Sequence, residues 1–366
     1  SQKKRYMLSA QLSYDITDWL NISGRVRVDN THTKYEQKLY ASSNLTITEE
    51  STQGHYTISK PDETQTYADV LANINKRFND FSLVANVGAS IVNNRYEDLS
   101  YRGPIREKGI PNVFNVFDLD NTKKKARQDE WQEQTQSVFA SVEVGWKSML
   151  YLTLTGRNDW ASQLANSSTP CFFYPSVGLS GVISEMLTLP EFIDYMKVRG
   201  SFSSVGMPYP RNLTSPTYEY DEANQQWKPK THYPIKDLKP ERTNSWELGL
   251  DMRLFKDFSL GFSWYLANTF NQTFDPKVSG SSGYSKIYLQ TGYVRNSGVE
   301  LSLGYGHTWN NHLHWESNFT LSHNKNTIKD LVTSYIHPET GLPITQNRLD
   351  VGGLGKARFI LKKGGT

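Results

Sequence analysis

Hydrophobic residues occupy every second position along most of the chain. In the segment 81–92 they are Phe81, Leu83, Ala85, Val87, Ala89 and Ile91. Because successive side chains of a β-strand point to opposite faces, each such run predicts a strand with one apolar face. The intervening positions carry Ser, Asn, Thr, Gly and a few charges. The runs reach about ten residues, whereas an ordinary globular strand averages roughly 5–6.

The connections between these runs alternate between short turns and long segments. Turn-forming residues such as Asn79-Asp80 and Lys256-Asp257 make the short ones. The long ones cover roughly 30–66, 93–131, 160–171, 205–241, 269–293 and 325 onward. This rhythm predicts about twelve strands in hairpins, near 5–14, 19–29, 67–78, 81–92, 132–147, 149–159, 172–184, 195–204, 243–255, 258–268, 294–309 and 312–324. Further short strands are expected around 53–59 and 357–361.

Alternation alone fits either a soluble β-sandwich or an outer-membrane β-barrel, because both have strands with one apolar face. Three features favour the barrel. The strands are long enough to cross a bilayer, which takes about 9–11 tilted residues. Short turns on one side and long loops on the other are typical of bacterial outer-membrane barrels. Aromatic residues flank the short turns, as in a girdle at a membrane interface, at Trp19, Phe78, Phe81, Trp146, Phe255, Phe258, Trp309 and Trp315.

Composition excludes several classes of protein. The 366 residues carry a net charge of +3, too small for the basic footprint of a nucleic-acid-binding protein. No run approaches the 18 or so apolar residues of a transmembrane helix, and the mean hydropathy is −0.60. A single cysteine, Cys171, excludes a disulfide scaffold and a cysteine-based zinc site. Aromatic residues make up 13% of the chain, which suits a girdle and ligand-contacting loops.

Several segments match short motifs that one known protein family carries in a fixed order. The run LYLTLTGRND at 150–159 resembles the family strand that ends in GR-x-D, and LKPERT at 238–243 leading into ELGLD at 247–251 is the most specific match. Further similar segments are FYPSVG at 173–178, ISE at 183–185, VRGSF at 198–202, VRNSGVEL at 294–301 and NFTLSHNKN at 318–326. Together they cover about residues 130–330 in the family's order. On these motifs the chain resembles SusC/RagA-type TonB-dependent outer-membrane transporters.

The resemblance implies a plugged barrel of about 22 strands, of which this chain would supply about 12–14. No segment matches the plug domain, so residues 1–366 are expected to be an internal part of one barrel domain. The resemblance also implies a Gram-negative outer membrane as location. Its implied function is active import of an oligosaccharide or a peptide with a SusD-like surface lipoprotein, energised by TonB, ExbB and ExbD. The alternative is a secreted all-β carbohydrate-binding protein, and no cofactor is implied.

Candidate ligand contacts are aromatic residues in the long connections, because flat rings with a polar group suit sugars and peptides. They are Trp160, Tyr209, Tyr218, Tyr220, Trp227 and Tyr284. The alternative is that these rings pack loops together. Charged residues on the polar face are expected to line the lumen as structural groups, namely Arg157, Asp159, Asp251, Arg253 and Glu300. No catalytic constellation stands out, so an enzyme is not expected. His312 and His314 share a strand face but fit polar residues at a turn better than metal ligands.

Overall fold

The computed structural model describes residues 1–213, 220–221, 226–227, 232–233, 239–274, 286–310, 312–336, 341–352 and 359–365. The first nine strands are β1 (Gln2–Thr17), β2 (Leu20–Leu39), β3 (His55–Ser59), β4 (Asp62–Phe78), β5 (Phe81–Pro104), β6 (Lys125–Trp146), β7 (Leu150–Ala161), β8 (Cys171–Val182) and β9 (Ile193–Met207). The next are the short β10 (Tyr220–Asp221), β11 (Gln226–Trp227), β12 (His232–Tyr233) and β15 (Lys286–Ile287), and the long β13 (Glu241–Leu254), β14 (Phe258–Phe274), β16 (Leu289–Asn310) and β17 (Leu313–Asp330). The last are β18 (Val332–Ile336), β19 (Pro343–Gln346), β20 (Arg348–Gly352) and β21 (Phe359–Lys362). One short helix, α1, covers Ile183–Met186.

Thirteen strands form one sheet in the order β1-β2-β3-β5-β6-β7-β8-β9-β13-β14-β16-β17, with β4 pairing β2 and β5. Each long strand pairs antiparallel with its neighbour in the chain. The twelve predicted strands are confirmed, and so are the extra short ones at 55–59 and 359–362. The strands extend further into the long connections than the periodicity indicated. For example, β5 continues to Pro104 and β7 to Ala161.

The short turns join strands at one end of the sheet. Their backbones enter the left-handed region at Asn79, Lys147, Ser148, Phe255 and Lys256, as tight hairpin connections require. Positive φ is unfavourable for a residue as large as phenylalanine. Here the Phe255 ring stacks on Phe192 with centroids 5.5 Å apart. Phe255 also lies edge-to-face with Phe258, with centroids 6.5 Å apart, so two of the aromatic residues predicted for the girdle pack together beside this turn.

The two faces of the sheet differ in exposure and chemistry. Apolar residues of interior strands are exposed on one face, with Leu179 of β8 at 52% and Leu248 of β13 at 56%. Among the described residues, nearly all of the buried hydrophobic ones instead lie at the long-loop end, at Tyr56, Ile105, Leu119, Ala161, Leu164, Phe172, Tyr209, Leu213, Ile328 and Leu331. A soluble sandwich would bury the apolar face. This distribution favours a sheet whose apolar face contacts lipid.

Among the helices of the described residues, none has the length and apolar character to cross a membrane.

Candidate functional site

Residues of neighbouring strands form straight rows across the polar face, because the strands pair in register. One row consists of hydroxyl side chains on β6, β7, β8, β9 and β13. We call it the hydroxyl row; its members are Ser141, Thr155, Ser176, Ser203 and Ser245. The Thr155 hydroxyl donates to Ser176 Oγ at 2.8 Å. Since neighbouring strands lie about 4.8 Å apart, the row offers hydroxyl groups at regular short intervals.

The sheet divides immediately above the hydroxyl row. Pairing between β8 and β9 runs from Val182–Lys197 up to Ser176–Ser203 and then stops. Beyond that point β8 remains paired with β7, and β9 remains paired with β13. We call this opening the β8–β9 fork. It is an exception within a sheet whose other long ladders are continuous apart from local bulges.

Three residues are compatible with the separation of β8 and β9 at the fork. Pro175 has no backbone N–H, so it tolerates an unpaired strand edge. Gly206 lies against two rings: a Cβ there would come 2.8 Å from Phe172 Cδ2. The side chain of Arg242 on β13 donates to the Phe173 carbonyl at 3.1 Å. At the fork, a side chain of β13 thus bonds a backbone acceptor of β8.

Above the hydroxyl row, an acid holds an arginine and a tyrosine in place. Asp159 accepts from Arg157 Nε at 2.7 Å through one oxygen, and from the Tyr174 hydroxyl at 3.0 Å through the other. Arg157 Nη2 also donates to Ser137 Oγ at 2.7 Å, and its guanidinium lies 5.6 Å from the centre of the Phe139 ring. Asp159 is only 8% exposed. Such charge-assisted bonds fix the orientation of both partners.

A cavity of about 590 Å³ opens at the fork. Its lining combines four hydroxyls of the row with the groups just above it, at Phe139, Ser141, Thr155, Arg157, Asp159, Tyr174, Pro175, Ser176, Ser203, Val205 and Gly206. The volume falls within the range of about 300–1,000 Å³ found for small-molecule sites. Two smaller cavities on the same face, of about 280 and 170 Å³, adjoin Arg199. The fork therefore provides the roomiest of these three recesses.

The chain that follows β9 folds back over the polar face. In the segment 208–213, which we call the docked segment, Tyr209 and Leu213 are buried. They pack in a cluster with Ala161, Leu164 and Phe172. Arg211 reaches past β8 and β7 to β6, where its guanidinium lies 4.0 Å from the centre of the Trp131 ring. Its Nη1 is 3.2 Å from Glu133 Oε1. The docked segment thus connects β9 to β6 at the long-loop end.

A second polar row crosses the unbroken part of the sheet. Arg199 pairs with Gly249, Gly249 with Ser263, and Ser263 with Glu300. Arg199 lies across Gly249, donating to Asp251 at 2.8 Å and to Ser263 Oγ at 2.8 Å. We call this the arginine row. A Cβ on Gly249 would come 2.5 Å from Arg199 Nε, so the glycine leaves the space that the arginine occupies.

The predicted structural charges all lie on the polar face. Arg157 and Asp159 adjoin the fork cavity, and Asp251 and Glu300 line the 280 Å³ cavity beside Arg199. Arg253 faces Ser259 across the β13–β14 ladder. That these residues line a lumen stays a prediction at this point, because it depends on how the sheet closes.

Of the predicted aromatic contacts, the structure describes the side chains of Trp160 and Tyr209, and these two lie apart. Trp160 belongs to β7 rather than to a loop. Because side chains alternate along the strand, it lies on the apolar face, where it pairs with Gln136 of β6 and Cys171 of β8. Tyr209 is buried in the docked segment, and its hydroxyl has no hydrogen-bond partner among the described residues. The backbones of Tyr220 and Trp227 pair across β10–β11. Tyr218 and Tyr284 lie outside the described residues.

The remaining chemical candidates have ordinary contacts. His314 Nδ1 lies 2.8 Å from the Thr308 hydroxyl. Within the described ranges there is no group of three or more His, Cys, Asp or Glu that could hold a metal ion. Cys171 is a free, half-buried thiol at the start of β8.

Sequence reasoning missed the hydroxyl row and the fork. The serines of the row sit in separate strands, so no local motif unites them, and only the pairing register does. One signal was present: Pro175 interrupts a run that otherwise reads as an interior strand, and proline is confined to strand edges or irregularities.

Comparisons with known proteins agree on one fold. A family model described as TonB dependent receptor-like, beta-barrel matches residues 1–355. TonB-dependent receptor P26 of Formosa agariphila is 26% identical over 226 residues, which are 59% of this chain and 23% of that protein. TonB-dependent receptor P39 of the same organism is 24% identical over 275 residues, 71% of this chain and 25% of that protein. The chain thus spans about a quarter of the length of these relatives.

Solved structures show the same architecture. The RagAB peptide transporter superposes with a TM-score of 0.76 at 17% identity, covering 99% of this chain and 40% of that one. The RagAB peptide importer in its open-open state gives a TM-score of 0.72 at 17% identity, covering 93% of this chain and 38% of that one. The fold is therefore an antiparallel transmembrane β-barrel, of which this chain contributes part of the wall.

Proposed function

Because this chain belongs to the family of TonB-dependent receptor-like β-barrels, we propose that it forms part of the wall of an outer-membrane importer. Its apolar face contacts lipid and its polar face lines the lumen, which makes Arg157, Asp159, Asp251, Arg253 and Glu300 lumen residues. The observation that best supports this is the contrast between the two faces. One carries exposed apolar side chains, and the other carries ion pairs and hydroxyl rows.

The cargo in this proposal is a nutrient too large for a porin, either an oligosaccharide or a peptide. A SusD-like surface lipoprotein captures it above the long loops, and TonB with ExbB and ExbD supplies energy from the inner membrane. The structural similarity to RagAB, a peptide importer, supports a two-component import system. No covalent chemistry is assigned to the chain.

The test uses the full-length protein in its own cell. We expect it to fractionate with the outer membrane and to require detergent for extraction. Uptake of its cargo, followed with labelled oligosaccharide and peptide pools, should stop when TonB is deleted or the proton gradient is collapsed. Recovery in the soluble fraction, or uptake that continues without TonB, would contradict the proposal.

A further inference from the structure

We propose that the cavity at the β8–β9 fork is a subsite for a neutral saccharide. This inference rests on the proposed import function and selects between the two cargo classes left open above. It assigns the hydroxyl row as the polar floor of the subsite. Arg157 and the rings of Phe139 and Tyr174 form its upper wall.

The polar groups of the cavity match hydroxyl-bearing ligands. Ser141, Thr155, Ser176 and Ser203 each carry a hydroxyl, which can donate and accept. Sugar hydroxyls have the same dual character, so a ring lying along the row can exchange both kinds of hydrogen bond. Hydroxyls on adjacent strands recur about every 4.8 Å, a spacing comparable with the width of one sugar ring.

The charges of the cavity favour a neutral ligand. Arg157 and Asp159 are bonded to each other at 2.7 Å, so the lining carries no net formal charge. Asp159 already accepts from Arg157 and Tyr174, whereas no hydrogen bond is found for Arg157 Nη1 among the described residues. That nitrogen can donate to a ring or hydroxyl oxygen. A carboxylate or ammonium ligand would have to compete with the existing ion pair.

The aromatic side chains provide apolar surface beside these polar groups. Phe139 and Tyr174 both line the cavity, and the Tyr174 hydroxyl is held by Asp159. An aromatic ring with a fixed orientation offers a flat apolar surface at low entropic cost. The C–H faces of a pyranose can pack on such a surface while its hydroxyls reach the row.

The backbone of the fork is poorly suited to an extended peptide. Peptides that bind along a strand edge depend on free main-chain N–H and C=O groups. At this fork Pro175 has no N–H, and the Phe173 carbonyl already accepts from Arg242. Below the fork, β8 and β9 are paired to each other and offer no edge. These features favour recognition through side-chain hydroxyls.

The experiment measures binding to the purified full-length protein in detergent. The probes are neutral gluco-, manno-, xylo- and galacto-hexasaccharides, an oligouronate and a pool of neutral decapeptides. The test variant, Thr155→Val with Ser203→Ala, removes two hydroxyls at nearly constant volume. Its matched control, Thr320→Val with Ser322→Ala, makes the same changes on the polar face of β17. A third variant, Ser203→Leu, fills the cavity, and heat-modifiable gel migration verifies folding of each.

We expect at least one neutral hexasaccharide to bind. The Thr155/Ser203 variant should weaken it about tenfold or more, because each lost hydrogen bond is worth about 1 kcal/mol. Ser203→Leu should abolish binding, and the control should stay within about twofold of the parent. Binding of only decapeptides or oligouronate overturns the assignment. So does binding of no probe, or saccharide binding that the fork variants leave unchanged.

Failure of this inference is distinguishable from failure of the proposed function. If the fork variants bind saccharide normally but uptake still requires TonB, the subsite is wrong and the importer stands. If they lose saccharide binding while uptake in cells is independent of TonB, the subsite stands and the energised import is wrong.

Discussion

The β8–β9 fork and the arginine row lie on the same face of one sheet, but strand pairing is interrupted at the fork and continuous in the arginine row. In the arginine row the strands stay paired, and Arg199 crosses Gly249 to bond Asp251 and Ser263. Arg199 of β9 thereby links its own strand to β13 and β14 through side-chain hydrogen bonds. At the fork the ladder opens, and side chains replace the missing strand contacts. The result there is a recess of about 590 Å³.

Glycine has a different role in each region. Gly249 makes room for a flexible side chain that bonds other strands, whereas Gly206 makes room for rings that are themselves packed in a buried cluster. The comparison indicates that, where pairing is continuous, neighbouring strands of the wall are held together. An interruption of pairing provides space for a ligand, provided that side chains satisfy the backbone groups left over.

The largest predicted effect tests the assumption that both regions belong to one membrane wall. Leu250 lies on the apolar face, between Val198 and Phe262. Arginine at this position should cost about 2–4 kcal/mol if the residue faces the bilayer midplane. We expect Leu250→Arg to prevent assembly of the full-length protein, measured as loss of the heat-modifiable species in outer-membrane fractions.

Ser201→Arg is the matched control for that change. It introduces the same side chain on the polar face, opposite Glu247, where an added cation has an acidic neighbour. This variant should assemble as the parent does. Equal loss of assembly in both variants would mean that the two faces do not differ in environment, and the comparison would lose its basis.

The next prediction contrasts the two glycines directly. A methyl group on Gly206 would lie 2.8 Å from Phe172 Cδ2, and Phe172 is buried and cannot withdraw easily. A methyl group on Gly249 would meet Arg199, whose side chain is 39% exposed and can move. Gly206→Ala should therefore lower the unfolding free energy by about 1–3 kcal/mol, and Gly249→Ala by less.

Denaturant unfolding in detergent micelles measures both variants. A larger loss for Gly249→Ala would show that the arginine row is the more tightly packed of the two regions. Saccharide binding adds a second readout. It should fall with Gly206→Ala, because the rings beside the cavity shift, and it should persist with Gly249→Ala.

The strands could be predicted from the sequence, whereas the hydroxyl row and the fork could not, for a physical reason. Alternation is a property of the local sequence, so the twelve strands can be predicted from runs such as 81–92. A row across strands depends on register, which is set by pairing between distant segments. Thr155 and Ser203 become neighbours of Ser176 only through two ladders. Trp160 illustrates the limit, because a strand that extends two residues further than expected moves its ring from a loop to the apolar face.

The smallest predicted effect concerns pH at the rim of the fork. Glu241 pairs with Met207, where β9 leaves the sheet, and burial raises the pKa of its carboxyl above the ordinary 4.5. Asp251 and Glu247 differ from Glu241 in their contacts, because Arg199 lies 2.8 Å from Asp251 and 3.5 Å from Glu247. Between pH 4.5 and the raised folded pKa, the folded state holds a proton on Glu241 that the unfolded state has lost. Stability should therefore decline as pH rises through the folded pKa.

Glu241→Gln isolates this effect, because glutamine resembles the protonated carboxyl at every pH. The variant should unfold at a higher temperature than the parent at pH 8 and at nearly the same temperature at pH 5. Glu247→Gln serves as the control: it removes a charge facing Arg199 and should not reproduce the gain at pH 8. If Glu241→Gln shifts the midpoint equally at both pH values, the rim of the fork does not desolvate its acid. The fork and the arginine row would then differ in strand pairing but not in the desolvation of their acidic side chains.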